Sequence, residues 1–404
     1  TRLTTARRLK TAIFQSSVSY IKCRGDTMKI AIMTWFANQN YGTVLQAYAL
    51  QKYLNDTYGA DAQLIKYYPS EEKYLQSLGK KTEHLLYKLR EHAKDYLKPK
   101  KTPLADEINA KYPKIKAERD KSFDDFLSKI NFFDGDIDNA CDKFDIFICG
   151  SDQIWNPQII DKNFYLAFAD GKRKISYAAS TGISYIPDYA KKCLAEYLKD
   201  FEAISLREPD CRKDIEKISG KNVSVVCDPT FLLSANEWRT IADTTRVPSE
   251  KYALSYFLGD DERNNFAYNA TDKLNIKNVI LPTSTEMFDK SEKKNYTISP
   301  ADFLALEDNS EFIITDSFHA ICFAIIFKKN FCVVTKHRES NPFNQNSRVL
   351  HLLSKAGLTD RLAKNENDIK RLFNESIDYD AVYTRLNGFI DDSKEFLDKH
   401  ISEQ

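Results

Sequence analysis

The sequence predicts an α/β chain of two Rossmann-like domains facing each other across a cleft, with a helical insertion in the first. Three observations predict this. Apolar strand-like runs alternate with helical segments in two consecutive series, the pattern that builds parallel sheets. The run FDIFICG is apolar throughout, as expected of a parallel strand covered on both faces. Polar clips recur where predicted strands end, and ligands of such sheets sit at the carboxyl ends of their strands.

The length of 404 residues exceeds one ordinary core and points to two domains. Residues 1–27, rich in basic residues, Thr and Ser, are expected to lie outside the fold. A transit-like or membrane-surface segment is the other reading of that composition. The first domain is expected over 28–235. It opens with the strand MKIAIMTWF, the loop ANQNYG, the helix TVLQAYALQKYLNDTYG and the strand DAQLIKYY. Residues 70–130 turn charged and helical and read as an insertion, with His84 and His92 on solvated faces. The rhythm returns with FDIFICG, RKISYAAS, a helix near 189–201, AISLRE, the helix PDCRKDIEKISG and the strand VSVVCDPTFLL. The polar stretch 234–251 marks the boundary, so the second domain is expected over 236–404. Its series is KYALSYFL, KNVILP, the helix PADFLALEDNS, EFIITDS, the helix FHAICFAIIFKKN and FCVVTK.

Composition narrows the function. Lys+Arg is 59 against Asp+Glu 58, a balance that argues against a general nucleic-acid binder. The eight cysteines are scattered, mostly in apolar runs, and form no C-x-x-C pair, which suits a reducing compartment. The longest apolar run is under half of the roughly 20 residues that a membrane span needs. There is no GxGxxG, Walker loop, G-x-S-x-G or H-E-x-x-H, and close His/Cys metal spacing is absent.

Four clips carry the candidate site. NQNYGT offers Asn40 and Gly42 at a helix start, where backbone N–H groups suit an anion, although Gly also serves simply to begin a helix. CGSDQIWNP crowds Ser151, Asp152, Gln153 and Asn156 at the exit of the most apolar strand, with Trp155 beside them. Ser151 and Asp152 would also serve as helix caps, but Gln153 and Asn156 exceed what a cap needs. SLREPD places Arg207 where it can clamp a phosphate or carboxylate, against the alternative of a surface pair with Glu208 or Asp210. ITDSFHA places Ser317, Phe318 and His319 between a strand and a helix, and a histidine there is suited to proton transfer near neutral pH. Downstream, VVTKHRESNPFNQNSRV adds Lys336, His337, Arg338 and Arg348 in a loop with the length and polarity of a lid, or equally of a solvated basic loop.

Taken in this order, NYGTVLQAYALQKYL, FDIFICGSDQIWNP, ISLREPD, VCDPTFLL, ITDSFHAICFAIIFKKNF and NSRVLHLLSKAGL resemble the polysaccharide pyruvyl transferase family. The resemblance implies a fold similar to GT-B glycosyltransferases. It implies transfer of pyruvate from phosphoenolpyruvate onto a sugar of a surface or capsular polysaccharide precursor, closing a ketal and releasing phosphate. It carries Arg207 over as an anion ligand, His319 as acid/base or phosphate ligand, and Asp152 as the Asp of the G-x-D clip. Together His319, Asp152 and Arg207 form the expected catalytic set, with the other clip residues contacting substrate. Many members have a basic residue in R-L-H where this chain has Ser317-Phe318-His319, so Arg348, Lys336 or Arg338 is expected to hold the donor instead. Trp155 and Phe318 are expected to pack on the sugar.

On this resemblance no metal and no cofactor beyond the donor phosphoenolpyruvate is expected. The partners are the donor and a sugar or lipid-linked oligosaccharide acceptor, with no nucleic acid and at most peripheral membrane contact. The expected location is the cytoplasm, or the inner face of the membrane. Two other functions stay open: a GT-B-like glycosyltransferase using a nucleotide sugar, and a non-catalytic glycan-assembly protein.

Overall fold

The computed structural model describes residues 27–37, 39–69, 104–259, 261–336 and 345–402, with 261–265 as main chain only. The expected extension up to residue 26, His84, His92, His337 and Arg338 lie outside the described residues.

The first half is built on β1 (Lys29–Met33), α1 (Tyr41–Tyr58) and β2 (Asp61–Ile65). The insertion follows as α2 (Leu104–Lys111) and α3 (Pro113–Leu127), then β3 (Phe132–Phe133). β4 (Ile146–Cys149) and β5 (Arg173–Ser176) complete a parallel sheet ordered β3-β2-β1-β4-β5. After α4 (Asp188–Leu198), β6 (Ile204–Leu206) joins the edge through the parallel bridges Ile175–Ala203 and Ala179–Leu206. α5 (Arg212–Ser219) leads to β7 (Val223–Val225), which pairs β6 in parallel. Burial explains the strand sequences: every residue of IFIC in β4 is buried, because helices cover both faces of a parallel sheet.

The structure shortens one expected strand. VSVVCDPTFLL pairs only over Val223–Val225 and then turns at Asp228, whose side chain accepts from the Thr230 N–H, into a tight turn over Pro229–Leu232. Pro229 has no N–H to give a ladder, so the apolar run beyond it packs as a turn.

α6 (Ala235–Arg239) crosses to the second half: β8 (Tyr252–Tyr256), α7 (Asp261–Thr271), β9 (Lys277–Leu281) and α8 (Thr285–Lys290). α9 (Pro300–Asn309), β10 (Phe312–Thr315), α10 (Phe318–Ile326) and β11 (Phe331–Val333) follow, and the parallel sheet is ordered β11-β10-β8-β9. α10 is buried on every side, as a helix apolar all round must be. α11 (Asn346–Ala356), α12 (Glu366–Asn374) and α13 (Tyr379–Ser402) complete the chain. α13 reaches back to the first half: Ser393 Oγ accepts from the Cys227 N–H at 2.8 Å, and Asp398 accepts from Tyr58 Oη at 2.7 Å.

Two facing Rossmann-like halves, the expected GT-B-like class, are thus what the chain forms. One apolar cluster runs through both, joining Val44 and Leu50 of α1 to Ile321 and Phe323 of α10 and Leu386 of α13. The described cysteines are all free thiols. Among the described residues, no helix is long and apolar enough to cross a membrane.

Candidate active site

Each sheet brings its strand ends to the seam. In an open parallel sheet the crevice lies where the strand order reverses, here between β1 and β4 and between β8 and β10. The clip after β4 starts with Gly150 at φ +119, where an added Cβ would lie 2.0 Å from the Tyr177 carbonyl. Only glycine fits, and the chain turns sharply enough to present Asp152, itself left-handed at φ 60. Thr43, in the first turn of α1, donates to Asp152 Oδ2 at 2.8 Å.

Arg207 leaves β6 into the buried centre of the seam. It is not in a surface pair: its Nη1 donates to Asp228 Oδ2 at 2.8 Å, with Asp152 Oδ1 at 3.7 Å from Nη2 and Glu208 Oε2 at 3.6 Å from Nε. From the second half, His319 in the first turn of α10 places Nε2 3.4 Å from the same Asp228 oxygen. Ser151 Oγ donates to that oxygen as well, at 3.3 Å. His319 reaches this depth because position 42 is glycine: a Cβ there would lie 2.2 Å from His319 Nδ1. The structure therefore brings Arg207, Asp152 and His319 together, and Asp228 joins them.

Phe318 is the next layer. Its ring lies under the Arg207 guanidinium at 4.3 Å and near that of Arg348 at 5.8 Å. Arg348, from the first turn of α11, is buried and faces Gln153 across the seam. With its oxygen turned toward Arg348, the Gln153 amide accepts from Nη1 at 2.9 Å. Two cavities meet at Arg348. One is also lined by Arg207, Asp228, Phe318, His351 and Phe389. The other is lined by Asp316, Lys336, Gln345 and Asn346.

The electrostatics separate two kinds of cation. Burial alone would raise the carboxyl of Asp228, but His319 and Arg207 hold it well below the usual range. Asp152 is likewise lowered despite its burial, by His319, Arg207 and Arg348. Arg207 is held charged by Asp228, Glu208 and Asp152, which outweigh the cost of its burial. Arg348 goes the other way: burial and then Arg207 lower it to about 10. Lys336 is lowered by burial and then by Arg348. The positive charge of Arg207 is answered inside the protein, whereas that of Arg348 and Lys336 is only partly answered.

Other expected residues have structural duties. Trp155 is a correction: it is fully buried, stacked on Tyr165 at 5.3 Å, and donates Nε1–H to the Phe164 carbonyl, so it cannot meet a sugar. The aromatic followed a polar clip, but its own environment is the core of the first half. Asn156 is buried and accepts from the Gln158 N–H at 2.9 Å, which shapes the loop. Asn40 caps α1 by accepting from the Thr43 N–H, and Ser317 caps α10 by accepting from the Ala320 N–H. Asp228, Glu208 and Thr43 escaped the sequence reading of the site. For Asp228 the available signal was an Asp-Pro pair ending an apolar run in VCDPTFLL.

Fold and cluster together define a two-domain cleft enzyme with its ionisable groups at the seam. The family model described as polysaccharide pyruvyl transferase matches residues 40–338, and the chain belongs to this family of transferases. No curated protein matches the sequence. Among solved structures, the chain is similar to S. aureus MnaA in a co-structure with UDP (14% identity, 94% of this chain and 99% of that one, TM-score 0.49). It is similar to a UDP-N-acetylglucosamine 2-epimerase (14% identity, 94% and 97%, TM-score 0.48). It is also similar to an alpha-glucosyltransferase in complex with UDP and a DNA 13-mer (9% identity, 92% and 100%, TM-score 0.43).

Proposed function

We propose that the chain moves pyruvate from phosphoenolpyruvate onto two hydroxyls of a sugar in a surface or capsular polysaccharide precursor, forming a ketal and releasing phosphate. The carrying observation is the pair of half-answered cations, Arg348 and Lys336, which line one cavity, with Arg348 also lining a second that Asp228, the partner of His319, faces. A donor with a carboxylate and a phosphate relieves their mutual repulsion and suits guanidinium and ammonium partners. The two cations would take the place of the basic residue that many family members carry where this chain has Ser317.

In the proposed reaction the donor methylene gains a proton and C2 becomes electrophilic. One sugar oxygen attacks C2 and loses its proton, the C2–O bond to phosphate breaks, and the second oxygen closes the ring. Of the two hydroxyl protons, one ends on the new methyl and the other on the released phosphate. His319 is the group assigned to carry protons. Asp152 and Asp228, both held below the usual range, are poor proton acceptors at neutral pH. Asp228 instead orients the imidazole from 3.4 Å, the part that the carboxylate of a catalytic triad plays. Arg207 fixes Asp228, and Phe318 closes the floor beneath both guanidiniums. The reading places the enzyme in the cytoplasm, or at the inner membrane face with a lipid-linked acceptor.

The test is thermal unfolding with ligand. Phosphoenolpyruvate is expected to raise the midpoint of the wild type by a few degrees at saturating concentration, and not that of Arg348→Met. Acceptor-dependent phosphate release should be lost in His319→Ala. A shift with UDP-sugars and none with phosphoenolpyruvate would favour nucleotide-sugar transfer. Binding without any turnover across glycan acceptors would favour a non-catalytic role. Either result would overturn the proposal.

A further inference from the structure

Arg119 lies in the middle of α3, away from the catalytic cluster, and is 8% exposed. Its guanidinium donates four hydrogen bonds, all to neutral acceptors. Nη2 donates to the Gln39 carbonyl at 2.9 Å and Nε to Gln39 Oε1 at 3.1 Å. Nη1 donates to the Tyr296 carbonyl at 2.6 Å and to Tyr41 Oη at 3.4 Å. Three aromatic rings surround it, Tyr296 at 4.6 Å, Phe123 at 4.8 Å and Tyr41 at 5.6 Å.

These partners come from three places. α3 is the insertion, Gln39 and Tyr41 are the loop and first residue between β1 and α1, and Tyr296 belongs to the second half. The loop is the one whose next residues complete the site. Gln39 is left-handed at φ 49, Asn40 caps α1, Gly42 supports His319 and Thr43 holds Asp152. Gln39 is held from its other side too, by its amide donating to Asp120, which also pairs with Lys116.

We propose that Arg119 is a positioning residue that clasps the two halves together and fixes the loop at the depth where Gly42 and Thr43 meet His319 and Asp152. A planar guanidinium suits the task because it donates in several directions at once and stacks on aromatic faces. A lysine keeps the charge and one contact but not the fork. The clasp also gives the insertion a use: it carries a side chain to a junction that neither sheet reaches.

The inference rests on the proposed reaction for its kinetic readout but not for its structural one. Arg348, Lys336 and His319 all lie in the second half, so donor binding does not need the clasp. In Arg119→Met, turnover is expected to fall roughly tenfold or more, because small misplacements of catalytic groups are costly. The dissociation constant for phosphoenolpyruvate is expected to stay within about twofold, and Arg119→Lys to recover part of the turnover. Solution X-ray scattering should show a larger radius of gyration for Arg119→Met, whatever the substrate is. Unchanged scattering for Arg119→Met overturns the clasp, with or without a working assay. If that variant does not fold, Arg119→Lys is measured alone, and wild-type scattering and turnover there overturn it. Wild-type scattering joined to lost donor affinity would likewise refute it.

Discussion

Asp228 and Glu307 show how opposite environments make one chemical group behave in opposite ways. Asp228 is wrapped by His319, Arg207 and the Thr230 N–H and is depressed well below its ordinary 3.8. Glu307 on α9 is fully buried with no hydrogen-bond partner for either carboxylate oxygen, and burial drives it well above 4.5. The consequences for stability have opposite signs. Asp228 contributes stability that is present above its unfolded value and is lost as pH falls below about 4. Glu307 contributes most below its unfolded value, and stability is lost as pH rises through its elevated one. Glu307→Gln is therefore expected to flatten the alkaline side of a melting-temperature profile, and Asp228→Asn the acid side. A profile of Glu307→Gln parallel to wild type between pH 5 and about 8 would contradict this. At this scale the sequence pointed to Arg207, Asp152 and His319 at strand ends, and the three converge on one cluster. It could not show that Asp228 sits between them, because that depends on a turn starting where an apolar run continues. Nor could it show Trp155 as core: polarity of neighbours along the chain says nothing about neighbours in space.

Two helix starts, those of α1 and α10, meet through Gly42 and His319. Helix propensity alone favours alanine over glycine by about 0.5–1 kcal/mol. The clash decides the sign here, because a methyl group at position 42 would lie 2.3 Å from His319 Cγ. Gly42→Ala is expected to lower acceptor-dependent phosphate release by about a hundredfold through displacement of the imidazole. Steady-state kinetics and a thermal melt check it together, and a more stable variant with full activity would refute it. Elements of this kind were legible where period and caps agreed. α1 ends at Gly59, where the sequence stops it, and α9 begins at Pro300, where the sequence starts it; the structure adds the left-handed φ of 60 and the Ser299 capping box. The end of β7 was misjudged although Asp228-Pro229 marks it, because the apolar residues beyond the proline read as more strand.

Over the whole molecule the apolar interior is continuous. Trp238 of α6 packs edge-on against Phe323 at 5.0 Å, and Tyr41 stacks on Phe303 at 4.7 Å, so residues from both sheets share neighbours. Halves joined in this way should melt as one cooperative unit. A single calorimetric peak whose van't Hoff and calorimetric enthalpies agree is expected, and two resolved peaks would argue for independent units. Two sheets and a cleft were readable from the alternation of elements. The return of α13 was not: its amphipathic pattern announces a helix with one buried face but not which half receives that face.

That return has a consequence for how the protein is made. The Cys227 amide, beside Asp228, waits for Ser393, and Tyr58 waits for Asp398. Domains generally fold as units during synthesis, in the order in which they leave the ribosome. Here the earlier half emerges lacking a piece of its own wall, and a nascent chain halted before residue 379 would leave that groove uncovered as a ready target for chaperones.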